Sequence, residues 1–161
     1  MSHAHVRYLG ILAIGWLLAG CSNPIETCSY LALEEVQQLA PGIVSSKYES
    51  RIVGQPTNFC IWTDSAGDEL LFVNVGLQTT NRPYQILETF KGEDRVELVT
   101  GVGNAAAAMF SSQGHGESLE IFLARNDRWT LDMRSKRVGG PDSAEFQTLK
   151  VLANKAFESL D

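Results

Sequence analysis

The sequence predicts an α+β fold: a twisted, mainly antiparallel sheet with helices packed on its faces. Two observations carry the sheet. The apolar runs Phe59–Thr63 and Glu69–Leu77 flank the turn-rich Asp64-Ser65-Ala66-Gly67-Asp68, and the alternating runs Leu119–Leu123 and Trp129–Met133 flank Asn126-Asp127. A third observation carries the helices. From Asp142 to about Leu160 the apolar residues Phe146, Leu149, Leu152, Ala153, Ala156, Phe157 and Leu160 fall on one helical stripe. No internal repeat or long linker interrupts residues 28–161, which read as a single domain.

Taken in order, the first element is a helix from about Tyr30 to Ala40. Leu33, Val36 and Leu39 recur at helical spacing, Glu34 and Glu35 suit its positive end, and Pro41-Gly42 stops it. Residues 43–58 are ambiguous: Ile43-Val44 and Arg51-Ile52-Val53 suit short strands, and Gly54-Gln55-Pro56 suits a turn. In Phe59–Thr63, Cys60 and Trp62 share a face. Glu69–Leu77 is apolar on both faces, with Leu71, Val73 and Val75 opposed to Leu70 and Phe72, as befits a central strand. Asn81 and Pro83 open a second helix carrying Ile86, Leu87 and Phe90. Val96–Thr100 suits an extended segment, and Ala105–Phe110 suits either a small-residue strand or a helical turn. Asp142 and Glu145 form a capping box for the last helix.

Residues 1–20 have the layout of a secretory signal: a short polar start, Arg7, then an apolar run from Tyr8 to Ala19. That run is shorter than the ~20 residues a bilayer span requires. It ends in Leu18-Ala19-Gly20-Cys21. This tetrapeptide resembles the lipobox of bacterial lipoprotein precursors, which implies cleavage before Cys21 and a diacylglyceryl anchor on its thiol. Residues 21–27 then form a lipidated tether. Ser22, where Asp is the usual inner-membrane retention signal, implies the outer membrane, facing the periplasm, in a Gram-negative host. In any other host the anchor would sit in the outer face of the cell membrane.

Cleavage leaves 141 of the 161 residues and removes one charged side chain, Arg7, so the formal charge moves from −6 to −7. Such an acidic domain lacks the basic stripe a nucleic-acid partner demands. Beyond Cys21 two cysteines remain, Cys28 and Cys60. An even pair in an exported domain reads as a disulfide, the alternative being two buried free thiols.

Further motifs extend the resemblance. Cys28-Ser29-Tyr30-Leu31, Glu34-Glu35-Val36, Cys60-Ile61-Trp62, Gly101-Val102-Gly103-Asn104-Ala105 and the helix after Asp142 together resemble small bacterial envelope lipoproteins of unknown function. Their shared framework is a lipobox, a Cys before the first helix and a Cys-x-Trp strand. The resemblance implies a PsbP-like fold and an envelope location, and no catalytic residue. Ala32 departs from the pattern where such chains often place Thr or Ser, which moves the expected cap toward Ser29.

Patterns with chemical meaning are few. Gly101-Val102-Gly103-Asn104-Ala105-Ala106 fits G-x-G-x-x-A, but no βαβ unit surrounds it, so a glycine turn with close-packed alanines is the expectation. His115, the one His after residue 20, stands between Gly114 and Gly116, and no G-x-S-x-G elbow supplies a Ser. Asp64, Asp68 and Glu69 miss the EF-hand spacing. No metal or cofactor is expected. Trp62 and Trp129 lie on apolar faces and read as core.

Arg125, Arg128, Arg134, Lys136 and Arg137 gather positive charge around the last hairpin. They read either as a solvated, charge-protected strand edge or as a landing site for an anionic lipid headgroup, polysaccharide or acidic protein patch. The functional expectation is a lipid-anchored envelope module that binds a partner without catalysis. The alternative is an envelope hydrolase using His115 or a carboxylate pair.

Overall fold

The computed structural model describes residues 28–49, 58–77, 85, 95–112 and 117–160. The signal and tether, Arg51–Val53, His115 and all but Gln85 of the helix expected after Asn81 lie outside the described residues; Gln85 is helical. A 3-10 turn, Cys28–Tyr30, leads into α1, Leu33–Leu39. Strands β1, Ser45–Glu49, β2, Asn58–Thr63, and β3, Glu69–Leu77, follow. Then come β4, Val96–Val99, β5, Ala105–Ser112, β6, Glu117–Arg125, and β7, Trp129–Arg134. The last element is α2, Ala144–Leu160. Among the described residues the strands form one seven-stranded sheet in the order β1-β2-β3-β7-β6-β5-β4, with every pairing antiparallel. The chain is therefore α+β.

One face of the sheet carries the main core. Cys60 and Trp62 of β2, Leu71, Val73 and Val75 of β3, Trp129, Leu131 and Met133 of β7, and Phe122 and Ala124 of β6 pack there with α1 and α2. All seven residues of the α2 stripe are buried, and Phe146 meets Phe110 and Phe122 edge-on at 5.2 and 6.0 Å. Ala106 and Ala108 of β5 belong to this core, so the small residues make room for the helix. Trp129 is core, as expected, and its indole N–H donates to the Leu160 carbonyl at 3.1 Å. Trp62 is core too, with Tyr30 edge-on at 6.3 Å. On the opposite face Ile61, Ala107 and Leu123 are buried but belong to a separate set.

Several expectations need correction. The first helix begins at Leu33, because a 3-10 turn takes residues 28–30, with Leu31 N–H donating to the Cys28 carbonyl. Its cap is Ala32 and not Ser29. Alanine has no cap oxygen, and half of a capping box remains: the Glu35 carboxylate accepts from the Ala32 N–H at 3.1 Å. The cap of α2 is Ser143 and not Asp142, since the Ser143 hydroxyl accepts from the Phe146 N–H at 3.1 Å. The ambiguous stretch holds its strand at Ser45–Glu49, a polar edge strand. Ala105–Phe110 is strand, and Leu70 does not share a face with Phe72, for a reason that matters below.

The Cys28 and Cys60 sulfurs lie at bonding distance, with their Cα atoms 5.6 Å apart. The bridge pins the start of the folded domain to β2. A second tie joins the helices, where Glu35 of α1 pairs with Lys155 of α2. That pair and the Ala32 N–H hold the Glu35 carboxyl below its usual range. Burial pushes the Tyr30 phenol far above its ordinary value, with Tyr48 adding to the effect, and the Tyr30 hydroxyl has no hydrogen-bond partner among the described residues.

Candidate functional site

The Gly101–Ala105 segment is a turn. Gly101 and Gly103 have φ of 80° and 49°, the left-handed region that favours glycine. The Asn104 N–H donates to the Arg125 carbonyl at 2.7 Å, closing the turn against the end of β6. Asn154 of α2 fastens it from the other side, accepting from the Gly103 N–H at 3.1 Å and donating to the Gly101 carbonyl at 2.8 Å. A strand follows at once, not a helix, so these glycines offer no helix N-terminus to a phosphate.

The five basic residues fall into two groups. Arg125 and Arg128 sit at the 126–128 turn, where the Asn126 side chain accepts from the Arg128 and Trp129 N–H groups. There Arg128 lies over the Trp129 ring at 4.9 Å. Arg134, Lys136 and Arg137 lie at the far end of β7. Six residues of strand at ~3.3 Å each put about 20 Å between the groups. That exceeds the ~8 Å Debye length of physiological salt, so each group acts alone. Alternation puts Arg134 on the face opposite Leu131 and Met133; it pairs across strands with Phe72 and lies over that ring at 5.4 Å. Its guanidinium also donates to the buried Asp132 carboxylate at 3.0 and 3.3 Å.

The Arg134 end is where the sheet comes apart. Two β-bulges lie there, one on each side of β7. Opposite Trp62 and Thr63 of β2, the pairing skips Leu70 of β3. Opposite Met109 and Phe110 of β5, it skips Glu120 of β6. Each extra residue re-aims a side chain. Leu70 turns into the main core, and Glu120 pairs with Arg95. Pairing of β7 with β3 and β6 then ends at Arg134 and Met133. Beyond it the buried Ser135 hydroxyl donates to the Leu70 carbonyl at 2.7 Å, and the Leu119 N–H donates to the Val138 carbonyl at 3.0 Å. The turn at Lys136 and Arg137 is thus held rigidly between the parted strands.

Two clefts flank this turn. One, of about 410 Å³, is lined by Leu39, Ala40, Pro41, Gly42, Leu70, Arg137 and Glu145. The other, of about 220 Å³, is lined by Glu69, Leu70, Leu119, Glu120, Arg134, Ser135 and Lys136. Leu70 borders both. A third cavity, between Asn74, Leu123, Thr130 and Asp132, holds about 10 Å³, room for one water at most.

Among the described residues no cluster of His, Cys, Asp and Glu could hold a metal ion, and no helix is long and apolar enough to cross a membrane. In comparisons with known proteins, no family model matches the chain and no curated protein matches it.

Proposed function

We propose that this protein is an envelope lipoprotein, anchored through lipid on Cys21, that binds a partner without catalysis at the parted end of its sheet. The observation that carries this reading is the rigid turn between the two clefts. Lys136 and Arg137 are exposed there and have no acidic side-chain partner among the described residues, while Arg134 beside them is tied to Asp132. Because the backbone of the turn is already ordered, binding there is spared the loop-ordering part of the entropy cost. The anchor rests on Leu18-Ala19-Gly20-Cys21 after a short apolar run. The antiparallel sheet with α1 and α2 on one face, together with the Cys-x-Trp framework, supports membership of the PsbP-like architecture.

Capture from envelope extracts with the acylated protein tests the binding role. A specific partner should be retained at low salt and released as salt rises, because exposed charges are screened. Absence of any specific partner, or retention indifferent to salt, contradicts it.

A further inference from the structure

Both signs of charge stand open at the parted end of the sheet. Of the charged residues lining the two clefts, Arg134 is committed to Asp132 and Glu120 to Arg95. Four remain without a side-chain partner among the described residues: Lys136 and Arg137, and Glu69 and Glu145. The larger cleft holds one of each, Arg137 and Glu145, over a floor that includes the buried side chains of Leu39, Ala40 and Leu70. The two charges line the same cleft and form no ion pair with each other. Glu145 stands in the first turn of the 17-residue α2.

We infer that the larger cleft takes a short zwitterionic peptide: its carboxylate on Arg137, its ammonium group against Glu145, and an apolar side chain on the Leu39–Leu70 floor. This rests on the binding role proposed above and names its ligand chemistry. The volume, about 410 Å³, lies within the range of small-ligand sites. A polyanion would meet repulsion from Glu145 and Glu69, so like-charge contact selects against it. A lipid tail would bury both charges unpaired, which is costly. A guanidinium fork suits a carboxylate bidentately, giving orientation as well as attraction.

Isothermal titration of the full chain in detergent micelles with the tripeptide Ala-Leu-Ala tests this. N-acetylated Ala-Leu-Ala, its C-terminal amide and inorganic phosphate serve as comparison probes. The free tripeptide should bind, and each blocked form should bind about tenfold more weakly, the loss of one charge-assisted pair. Arg137→Gln should weaken the free tripeptide about tenfold and leave the amide unchanged. Glu145→Gln should do the same for the free and the acetylated forms respectively. Both side chains are exposed, so the melting temperature should hold and the crossed pattern, not the single losses, identifies the pairs. Equal binding of all three peptides, or none by any of them, overturns the inference. Phosphate binding lost in Lys136→Gln, without peptide binding, also overturns it, yet leaves the envelope-binding role standing. Capture of no partner from envelope extracts would fell that role as well.

Discussion

Gly101→Ala and Gly103→Ala should differ in cost, although the two glycines share one motif and the same region of backbone space. Alanine in the left-handed region costs ~1–2 kcal/mol at either position. At Gly101 nothing lies within 4 Å of an added Cβ, so that strain is the whole effect. At Gly103 the Cβ would collide with the Arg125 carbonyl oxygen, 2.9 Å from its carbon and 3.0 Å from Phe157 Cε2. Backbone atoms cannot step aside cheaply. The turn would have to lift off β6, breaking the Asn104–Arg125 hydrogen bond and loosening the Asn154 clamp. Two hydrogen bonds at ~1 kcal/mol each add to the strain. The expected losses are about 1–2 kcal/mol for Gly101→Ala and about 3–4 kcal/mol for Gly103→Ala. Urea unfolding followed by tryptophan fluorescence measures both. Equal losses at the two positions would refute the account of the turn.

Other expectations follow from the ties across the core. Replacing both Cys28 and Cys60 by Ala should lower stability by about 3.5–4 kcal/mol, the chain-entropy value for a separation of 32 residues, and reductant should then have no further effect in denaturant titrations. Tyr30→Phe should leave stability unchanged or raise it by about 1 kcal/mol in thermal unfolding, because it removes a buried hydroxyl that has no hydrogen-bond partner among the described residues. The Glu35 carboxyl is depressed, so its pairing with Lys155 stabilises above the ordinary value of 4.5 and is lost as pH falls through the lowered one. Lys155→Met should flatten that part of the acid limb, by less than about 1 kcal/mol for so exposed a pair. Mass spectrometry of membrane-extracted protein should find Cys21 acylated at a new N-terminus; retained residues 1–20 or an unmodified Cys21 would exclude the anchor.

The alternation of β2, β3, β6 and β7 and the stripe of α2 were legible because each buries one face against a continuous core. Strand β1 was not, since Ser-Ser-Lys-Tyr-Glu at an edge pairs on one side and needs little apolar surface. Alanine left β5 open, because four consecutive Ala residues carry no period. The helix caps were misplaced by one to three residues, where a 3-10 turn and a Ser hydroxyl compete locally with the expected caps. The candidate site was half visible. Its basic residues stand out by charge, but sequence proximity alone gathers into one cluster residues that strand β7 separates by about 20 Å. The bulges at Leu70 and Glu120 break the two-residue period, and alternation alone put Leu70 beside Phe72. Glu69 and Glu145 give the end its mixed charge, and only the fold brings them near Arg137 and Lys136.

Reversing charge at one end of β7 at a time measures the binding role most directly. Lys136→Glu with Arg137→Glu alters the parted end, and Arg125→Glu with Arg128→Glu alters the turn end. Each acylated double variant would be used to capture partners from envelope extracts, with its melting temperature recorded beside the wild type. The parted-end variant should lose the partner at an unchanged melting temperature, while the turn-end variant keeps it. Loss only in the turn-end variant, or capture indifferent to both reversals, would contradict the proposed site.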